Sequence, residues 1–117
     1  MKFLVTGADG YIGHGVVKEL LDLGVEVIAT DIHTNNVDYR AETIECDIFS
    51  IDYPYIYFGK PDVLIHLAWR DGFKHFSENH IKDLPKHYLF LEKMCRAGIK
   101  KICVMGSMHE IGFIEGV

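Results

Sequence analysis

Apolar residues along the chain follow two alternating patterns, which predict alternating strands and helices. Five short apolar runs are typical of strands that are buried on both faces of a parallel sheet. The predicted strands cover residues 2–6, 25–30, 42–46, 62–68 and 101–105.

Two longer segments have apolar residues at helical spacing. Residues 11–23 predict an amphipathic helix, and Gly24 stands where a left-handed cap ends such a helix. A second helix is expected to begin at Asp83 as its cap, to hold Pro85 in its first turn and to end at Gly98. Its predicted buried face consists of Leu84, Tyr88, Leu91 and Cys95. Residues 49–59 predict a short crossover helix.

This alternation predicts an α/β fold, a doubly wound parallel sheet of about five strands in one domain spanning residues 1–117. Right-handed crossovers give the strand order 3-2-1-4-5, with a ligand expected where the order reverses, between strands 1 and 4. The carboxyl ends of the strands hold residues 7–13, 31–36, 47–48, 67–69 and 106–107.

The first strand ends in a glycine-rich turn with the sequence TGADGYIG. Gly7 allows the chain to turn sharply, Gly10 leaves room for a pyrophosphate, and Gly13 lets the next helix lie close to the strand. The N–H groups and the positive dipole end of that helix then face the phosphate charge. The turn therefore predicts a dinucleotide site.

Asp31 ends the second strand, 18 residues after Gly13. An acid at this point accepts hydrogen bonds from the adenosine ribose and repels a 2′-phosphate, which favours NAD over NADP. The nearest arginine along the chain is Arg40. The alternative is a solvated aspartate at a strand end.

Composition narrows the classes of partner. A net charge of −5 disfavours nucleic acid, and no apolar stretch is long enough to span a membrane. The amino-terminal residues do not resemble a secretory signal. Three cysteines without metal-like or redox-motif spacing indicate buried thiols in a reducing, cytoplasmic compartment. The seven histidines form no HExxH-type motif, so we expect no metal.

These motifs together resemble the extended short-chain dehydrogenase/reductases, specifically the NAD-dependent nucleotide-sugar epimerase/dehydratase group. The resemblance covers nearly the whole chain and implies a Rossmann-type fold. It is carried by TGADGYIG, Asp31, Asp47-Ile48, His66-Leu67-Ala68 and AGIKKICVMGSMHEIG.

The resemblance also implies roles for individual residues. Tyr11 and Ile12 would lie beside the pyrophosphate, and Asp31, Ile32 and His33 would line the adenosine ribose. Asp47 and Ile48 would hold the adenine edge, with Leu67 and Ala68 flanking the nicotinamide-side ribose and phosphates. Ser107, five residues before Gly112, would hydrogen-bond the sugar hydroxyl that is oxidised.

The family base is the tyrosine of a Tyr-x-x-x-Lys motif, and none of the six tyrosines here has a lysine four residues on. Ile111 replaces a usual tyrosine, Trp69-Arg70-Asp71 replaces usual small residues, and Asp83 replaces a usual asparagine. Trp69, Arg70, His75 and His109 either line a substrate pocket or lie on the surface.

Two functions therefore stay open. The first is the NAD-binding amino-terminal domain of a nucleotide-sugar epimerase or dehydratase, truncated before the substrate lobe. The second is a non-catalytic dinucleotide-binding sensor or regulatory module. In the family, further strands follow the fifth, so we expect an uncovered apolar edge there and self-association through it.

Overall fold

The computed structural model describes the backbone of residues 1–68, 78–105 and 110–115, and the side chains of residues 1–68 and 83–104. The strands are β1 (Lys2–Thr6), β2 (Glu26–Asp31), β3 (Glu42–Glu45), β4 (Val63–His66), β5 (Lys101–Met105) and β6 (Glu110–Glu115). The helices are α1 (Tyr11–Asp22), α2 (Pro54–Tyr57) and α3 (Glu78–Ala97), with a 3₁₀ turn at Ile48–Ser50. The predicted short crossover helix within residues 49–59 is therefore present as α2.

The strands form one sheet with the order β3-β2-β1-β4-β5-β6. The first five are parallel, and Val5 of β1 lies between Ala29 of β2 and Ile65 of β4. The predicted order 3-2-1-4-5 is confirmed. The reversal between β1 and β4 places the carboxyl ends of β2, β1 and β4 side by side.

The sixth strand was not predicted from the sequence. β6 pairs antiparallel with β5, with a register shift at Val104 and Met105. The expectation that the fifth strand forms an uncovered edge is therefore wrong, because β6 supplies it with main-chain hydrogen-bond partners. Self-association of the chain stays a prediction without that basis.

Each face of the sheet packs against its own helices. Leu4 and Leu64 point to the side of α3, where they join Phe90 and Met94 in the larger core. On the opposite face Val5 packs with Val17 of α1 in a smaller core that also holds Val27 and Ala29. The sheet is thus covered on both sides near its centre, as parallel sheets require.

One part of the α1 face stays more open. Around the starts of β1, β4 and β5, a cavity of about 370 Å³ is lined largely by apolar side chains. Phe3, Ile65 and Cys103 are half-buried there, whereas their neighbours on the other face are fully buried. Some apolar surface on this face of the sheet is therefore accessible to solvent.

The course of α3 corrects two predictions. The helix begins at Glu78, so Asp83 does not cap it and Pro85 lies inside it. Of the predicted buried residues, Leu91 and Cys95 are partly buried against the larger core, whereas Leu84 and Tyr88 are 54% and 67% exposed. The fully buried positions are Asp83, His87, Phe90 and Met94. The helical period is as predicted but its phase is shifted by one residue, because polar side chains belong to the buried face.

The other helix ends agree with the sequence. Gly24 follows α1 with a φ of 84°, and α3 ends at Ala97, directly before Gly98. Within the described ranges, no helix has both the length and the apolar character needed to cross a membrane.

Candidate functional site

The turn between β1 and α1 brings three backbone segments into close contact. Gly7 has a φ of 66°, and a side chain there would place its Cβ 2.5 Å from the carbonyl oxygen of Leu67. A Cβ at Gly13 would overlap the carbonyl oxygen of Gly7 and lie 2.9 Å from the Cα of Ala8. Both positions therefore require glycine, as the sequence predicted, to pack α1 onto β1 and β4.

Gly10 differs from these two glycines because it faces open space. A Cβ at Gly10 would meet only the carbonyl oxygen of Gly7, at an ordinary 3.4 Å. Gly10 is also the cap of α1, and it supplies no side-chain hydrogen bond to the first turn, which contains no acidic residue. The positive end of α1 is thus open to an anion that approaches over Gly10.

A cavity of about 200 Å³ opens beside this turn at the carboxyl ends of β1, β2 and β4. Eight of the residues selected from the sequence line it: Gly7, Gly10, Asp31, Ile32, Asp47, Ile48, Leu67 and Ala68. Three more lining residues were missed: Thr30, Cys46 and Phe49. Thr30 and Cys46 directly precede Asp31 and Asp47, so proximity to those strand ends was the available signal.

Asp31 is held by main-chain donors on both sides. Its Oδ2 accepts a hydrogen bond from the N–H of Asp9 at 3.0 Å, and its Oδ1 accepts one from the N–H of Ile32 at 2.7 Å. The carboxylate is partly buried and lines the cavity. It is therefore a fixed acceptor beside the glycine turn, with lone pairs left for further donors.

Asp47 shapes the opposite wall of the cavity. Its Oδ1 accepts a hydrogen bond from the N–H of Phe49 at 3.0 Å and so caps the 3₁₀ turn. Ile48 is 6% exposed and belongs to the larger core. Ile48 and Phe49 thus form an apolar wall of the cavity, against which a flat aromatic ring can pack.

The other selected residues lie away from this cavity or outside the described part of the chain. The side chains of Tyr11 and Ile12 are 80% and 48% exposed and line a separate shallow groove along α1. Gly13 is buried beneath the turn, and His33 is exposed. Ser107, Trp69, Arg70, His75 and His109 lie outside the residues whose side chains are described.

The comparisons with known proteins agree with this geometry. The model of the NAD dependent epimerase/dehydratase family matches residues 3–115. The chain belongs to this family.

Two curated relatives show how much of a family member the chain represents. It is 40% identical to the dTDP-6-deoxy-L-talose 4-dehydrogenase (NAD(+)) of Aggregatibacter actinomycetemcomitans, over 99% of this chain and 45% of the relative. It is 31% identical to the UDP-glucose 4-epimerase of Lacticaseibacillus casei, over 96% of this chain and 37% of the relative. The chain thus spans less than half the length of these relatives and corresponds to the amino-terminal, NAD-binding part of family proteins.

Solved structures share the fold. The UDP-glucose 4-epimerase of Thermotoga maritima, solved with UDP-glucose, superposes with a TM-score of 0.73 at 25% identity, over 89% of this chain and 37% of that one. The UDP-glucose 4-epimerase of Thermus thermophilus, solved with NAD, gives a TM-score of 0.72 at 26% identity, over 87% of this chain and 36% of that one.

Arg40 of this epimerase/dehydratase-family chain is already engaged by two carboxylates. Its guanidinium donates to Asp22 at 2.9 Å and to Asp38 at 2.9 and 3.1 Å. Hydrogen bonds from Arg40 lower the pKa of Asp38 to about 2, and those same carboxylates raise the pKa of Arg40 above its usual range. Arg40 is therefore committed to an ion pair and does not line the cavity.

Three buried polar side chains, Thr6, His66 and His87, lie in a row beneath Leu67. The hydroxyl of Thr6 accepts a hydrogen bond from the N–H of Leu67 at 3.0 Å and lies 2.7 Å from Nδ1 of His66. Nε2 of His66 lies 2.7 Å from Nδ1 of His87 on α3. The contact between the two rings could not be predicted from the sequence, because His66 and His87 are 21 residues apart.

The environment disfavours the cationic form of both His66 and His87. Burial lowers the pKa of His66 to about 3, with a smaller effect from the neighbouring charge of His87. Burial also lowers the pKa of His87 to about 4, which the carboxylate of Asp83 partly opposes. The pair is neutral at pH 7, and it joins β1, β4 and α3 behind the site.

Proposed function

We propose that the chain binds NAD along the carboxyl edge of the sheet. The pyrophosphate lies over Gly10 at the start of α1, the adenosine ribose meets Asp31, and the adenine lies against Asp47 and Ile48. Leu67 and Ala68 flank the nicotinamide-side ribose and phosphates. The observation that carries this proposal is that the glycine turn, Asp31 and the 3₁₀ turn all line the same cavity.

The residues suit the cofactor in shape and in charge. Gly7 and Gly13 leave no space for side chains and draw α1 close to the strands, while Gly10 keeps the approach to the helix end open. Tyr11, Ile12 and Gly13 contribute main-chain N–H groups of the first turn rather than side chains. Ile32 and His33 lie next to Asp31 at the rim.

NAD is preferred over NADP on electrostatic grounds. A 2′-phosphate on the adenosine ribose would stand beside the carboxylate of Asp31, and like charges about 4 Å apart repel by roughly 1–4 kcal/mol per charge pair, depending on solvent exposure. Compensation by Arg40 would first require breaking its ion pairs with Asp22 and Asp38.

In the complete protein we propose that this domain serves hydride transfer to and from a carbon of a nucleotide sugar. Bound NAD supplies the hydride acceptor. Ser107 hydrogen-bonds the reacting hydroxyl of the sugar in this scheme. Support comes from relatives named as a deoxytalose dehydrogenase and as UDP-glucose epimerases. Since no tyrosine in the chain has a lysine four residues on, the 117-residue chain binds NAD without turnover.

Calorimetric titration of NAD and NADP tests the proposal. We expect NAD to bind the wild-type chain more tightly than NADP. Asp31→Ala should reduce the ratio of the two dissociation constants, NADP over NAD, at least tenfold. Asp52→Ala is the matched control, because it removes an exposed carboxylate that does not line the cavity. Equal affinity of the wild-type chain for NAD and NADP would contradict the electrostatic argument, and no binding of either would refute the proposed function.

A further inference from the structure

Asp9 lies inside the glycine turn, between Gly7 and Gly10. Its side chain reaches the loop that follows β2. Oδ1 of Asp9 accepts a hydrogen bond from the N–H of Asn36 at 2.6 Å, and Oδ2 lies 3.4 Å from the Asn36 side-chain nitrogen. The main-chain N–H of Asp9 meanwhile donates to Asp31. One residue therefore links the turn both to the ribose acceptor and to the loop beyond it.

The same loop is held from its other side by β3. Oε2 of Glu45 accepts hydrogen bonds from the N–H and the hydroxyl of Thr34, at 3.0 and 3.1 Å. The loop itself packs little apolar surface, since Ile32 is 63% exposed and His33 is exposed. A loop with few buried apolar contacts opens easily unless polar contacts hold it.

We propose that Asp9 is a positioning residue, which clasps loop 32–36 onto the glycine turn and so preforms the adenosine-ribose part of the site. This inference rests on the proposed function, since it assumes that NAD binds beside Asp31. With the clasp closed, Ile32 and His33 stand beside Asp31 before the nucleotide arrives. Ordering a flexible loop on binding costs free energy and lowers the affinity. Because the clasp already orders this loop, NAD binding does not bear that cost.

The negative charge of Asp9 can act on NAD binding independently of the hydrogen bond to Asn36. Three variants separate the effect of the charge from that of the clasp. Asp9→Ala removes both the acceptor and the charge. Asp9→Asn removes the charge but keeps an oxygen that can accept the N–H of Asn36. Asn36→Ala keeps the main-chain N–H and loses only the longer side-chain contact.

The first readout needs no nucleotide. Hydrogen exchange of the Asn36 amide, followed by NMR in the unliganded chain, should accelerate at least tenfold in Asp9→Ala and stay near the wild-type rate in Asp9→Asn. Unchanged protection of that amide in Asp9→Ala would show that the clasp does not exist in solution.

The second readout is calorimetry with NAD and with ADP-ribose, which keeps the adenosine, the pyrophosphate and the second ribose and lacks only the nicotinamide. We expect Asp9→Ala to weaken both ligands by the same factor, roughly tenfold, which is the worth of about one net hydrogen bond. Asp9→Asn should restore the affinity for NAD. Asp52→Ala, which removes an exposed carboxylate that does not line the cavity, should leave it within about twofold of wild type.

The outcomes separate the two proposals. If the wild-type chain binds neither ligand, the proposed function fails while the exchange experiment still judges the clasp. If the wild-type chain binds NAD and the amide of Asn36 is exposed in Asp9→Ala without loss of affinity, the positioning role is refuted. A matching loss in Asp9→Asn would assign the effect to charge and would also overturn the proposal.

Discussion

Lowering the pH should destabilise the fold through the buried pair His66 and His87. Both side chains are at most 2% exposed, and burial lowers the pKa of each well below the value of 6.5 that an unfolded chain would show. Between these values the unfolded chain binds protons that the folded chain does not. As far as this pair is concerned, the free energy of unfolding is therefore at its full value above about pH 7.5. It falls as the pH drops through the pKa of histidine in the unfolded chain.

The size of the effect follows from the unfolded pKa. At about pH 5, some 1.5 units below it, each histidine that stays neutral in the fold lowers the free energy of unfolding by about 2 kcal/mol, at about 1.36 kcal/mol per unit. The pair together gives about 4 kcal/mol, a large share of the stability of a small domain.

Neighbouring groups leave the sign unchanged. The carboxylate of Asp83 favours a protonated His87, whereas the ammonium of Lys86 opposes it, and burial outweighs both. Aromatic side chains also contact the pair: Phe49 meets His87 edge-on, and Phe90 stacks on His66. Carboxylates with lowered pKa, such as Asp38 and Asp62, act only below about pH 4, outside this window.

Denaturant unfolding of the NAD-free chain at about pH 7.5 and pH 5 measures the effect. In His87→Gln one titrating group is lost, so the difference between the two pH values should fall by about half. His33→Gln removes an exposed histidine and should leave the difference as in the wild type. Equal stability of the wild-type chain at both pH values, or an undiminished difference in His87→Gln, would refute the reasoning.

Three further predictions concern the glycines and the assembly. Gly13→Ala should lower the free energy of unfolding by about 3 kcal/mol, because the new Cβ overlaps the backbone. Gly15→Ala places its Cβ where no described atom lies within 4 Å, so it should raise the free energy of unfolding by about 0.5–1 kcal/mol. Denaturant unfolding in which both variants change the stability equally would contradict this prediction. Gly10→Leu should keep the fold but abolish NAD binding in calorimetry, so retained binding would place the pyrophosphate elsewhere. Sedimentation at high protein concentration should reveal dimers or larger species, because the apolar surface around Phe3, Ile65 and Cys103 is accessible to a second copy. A stable monomer would count against self-association.

Much of the fold could be predicted because the relevant signals are local. The apolar runs marked the five parallel strands, and the glycine turn marked the start of α1. The roles of Gly7 and Gly13 followed from the same reasoning, since close backbone approach requires glycine wherever a strand, a turn and a helix meet.

The errors have a common physical origin in contacts between distant residues. The phase of α3 depends on His87 meeting His66 across the core, and no local pattern marks a histidine as buried. The link from Asp9 to Asn36 joins residues 27 positions apart. The pairing of β6 with β5 likewise depends on where the chain returns after β5 and not on apolar spacing.

The most direct test of the account is a crystal structure of the chain with NAD. We predict density for the pyrophosphate against the main-chain N–H groups at the start of α1, with the ribose hydroxyls within hydrogen-bond distance of Asp31. Nucleotide density elsewhere, or a cavity beside Gly10 that stays empty at saturating NAD, would contradict the account.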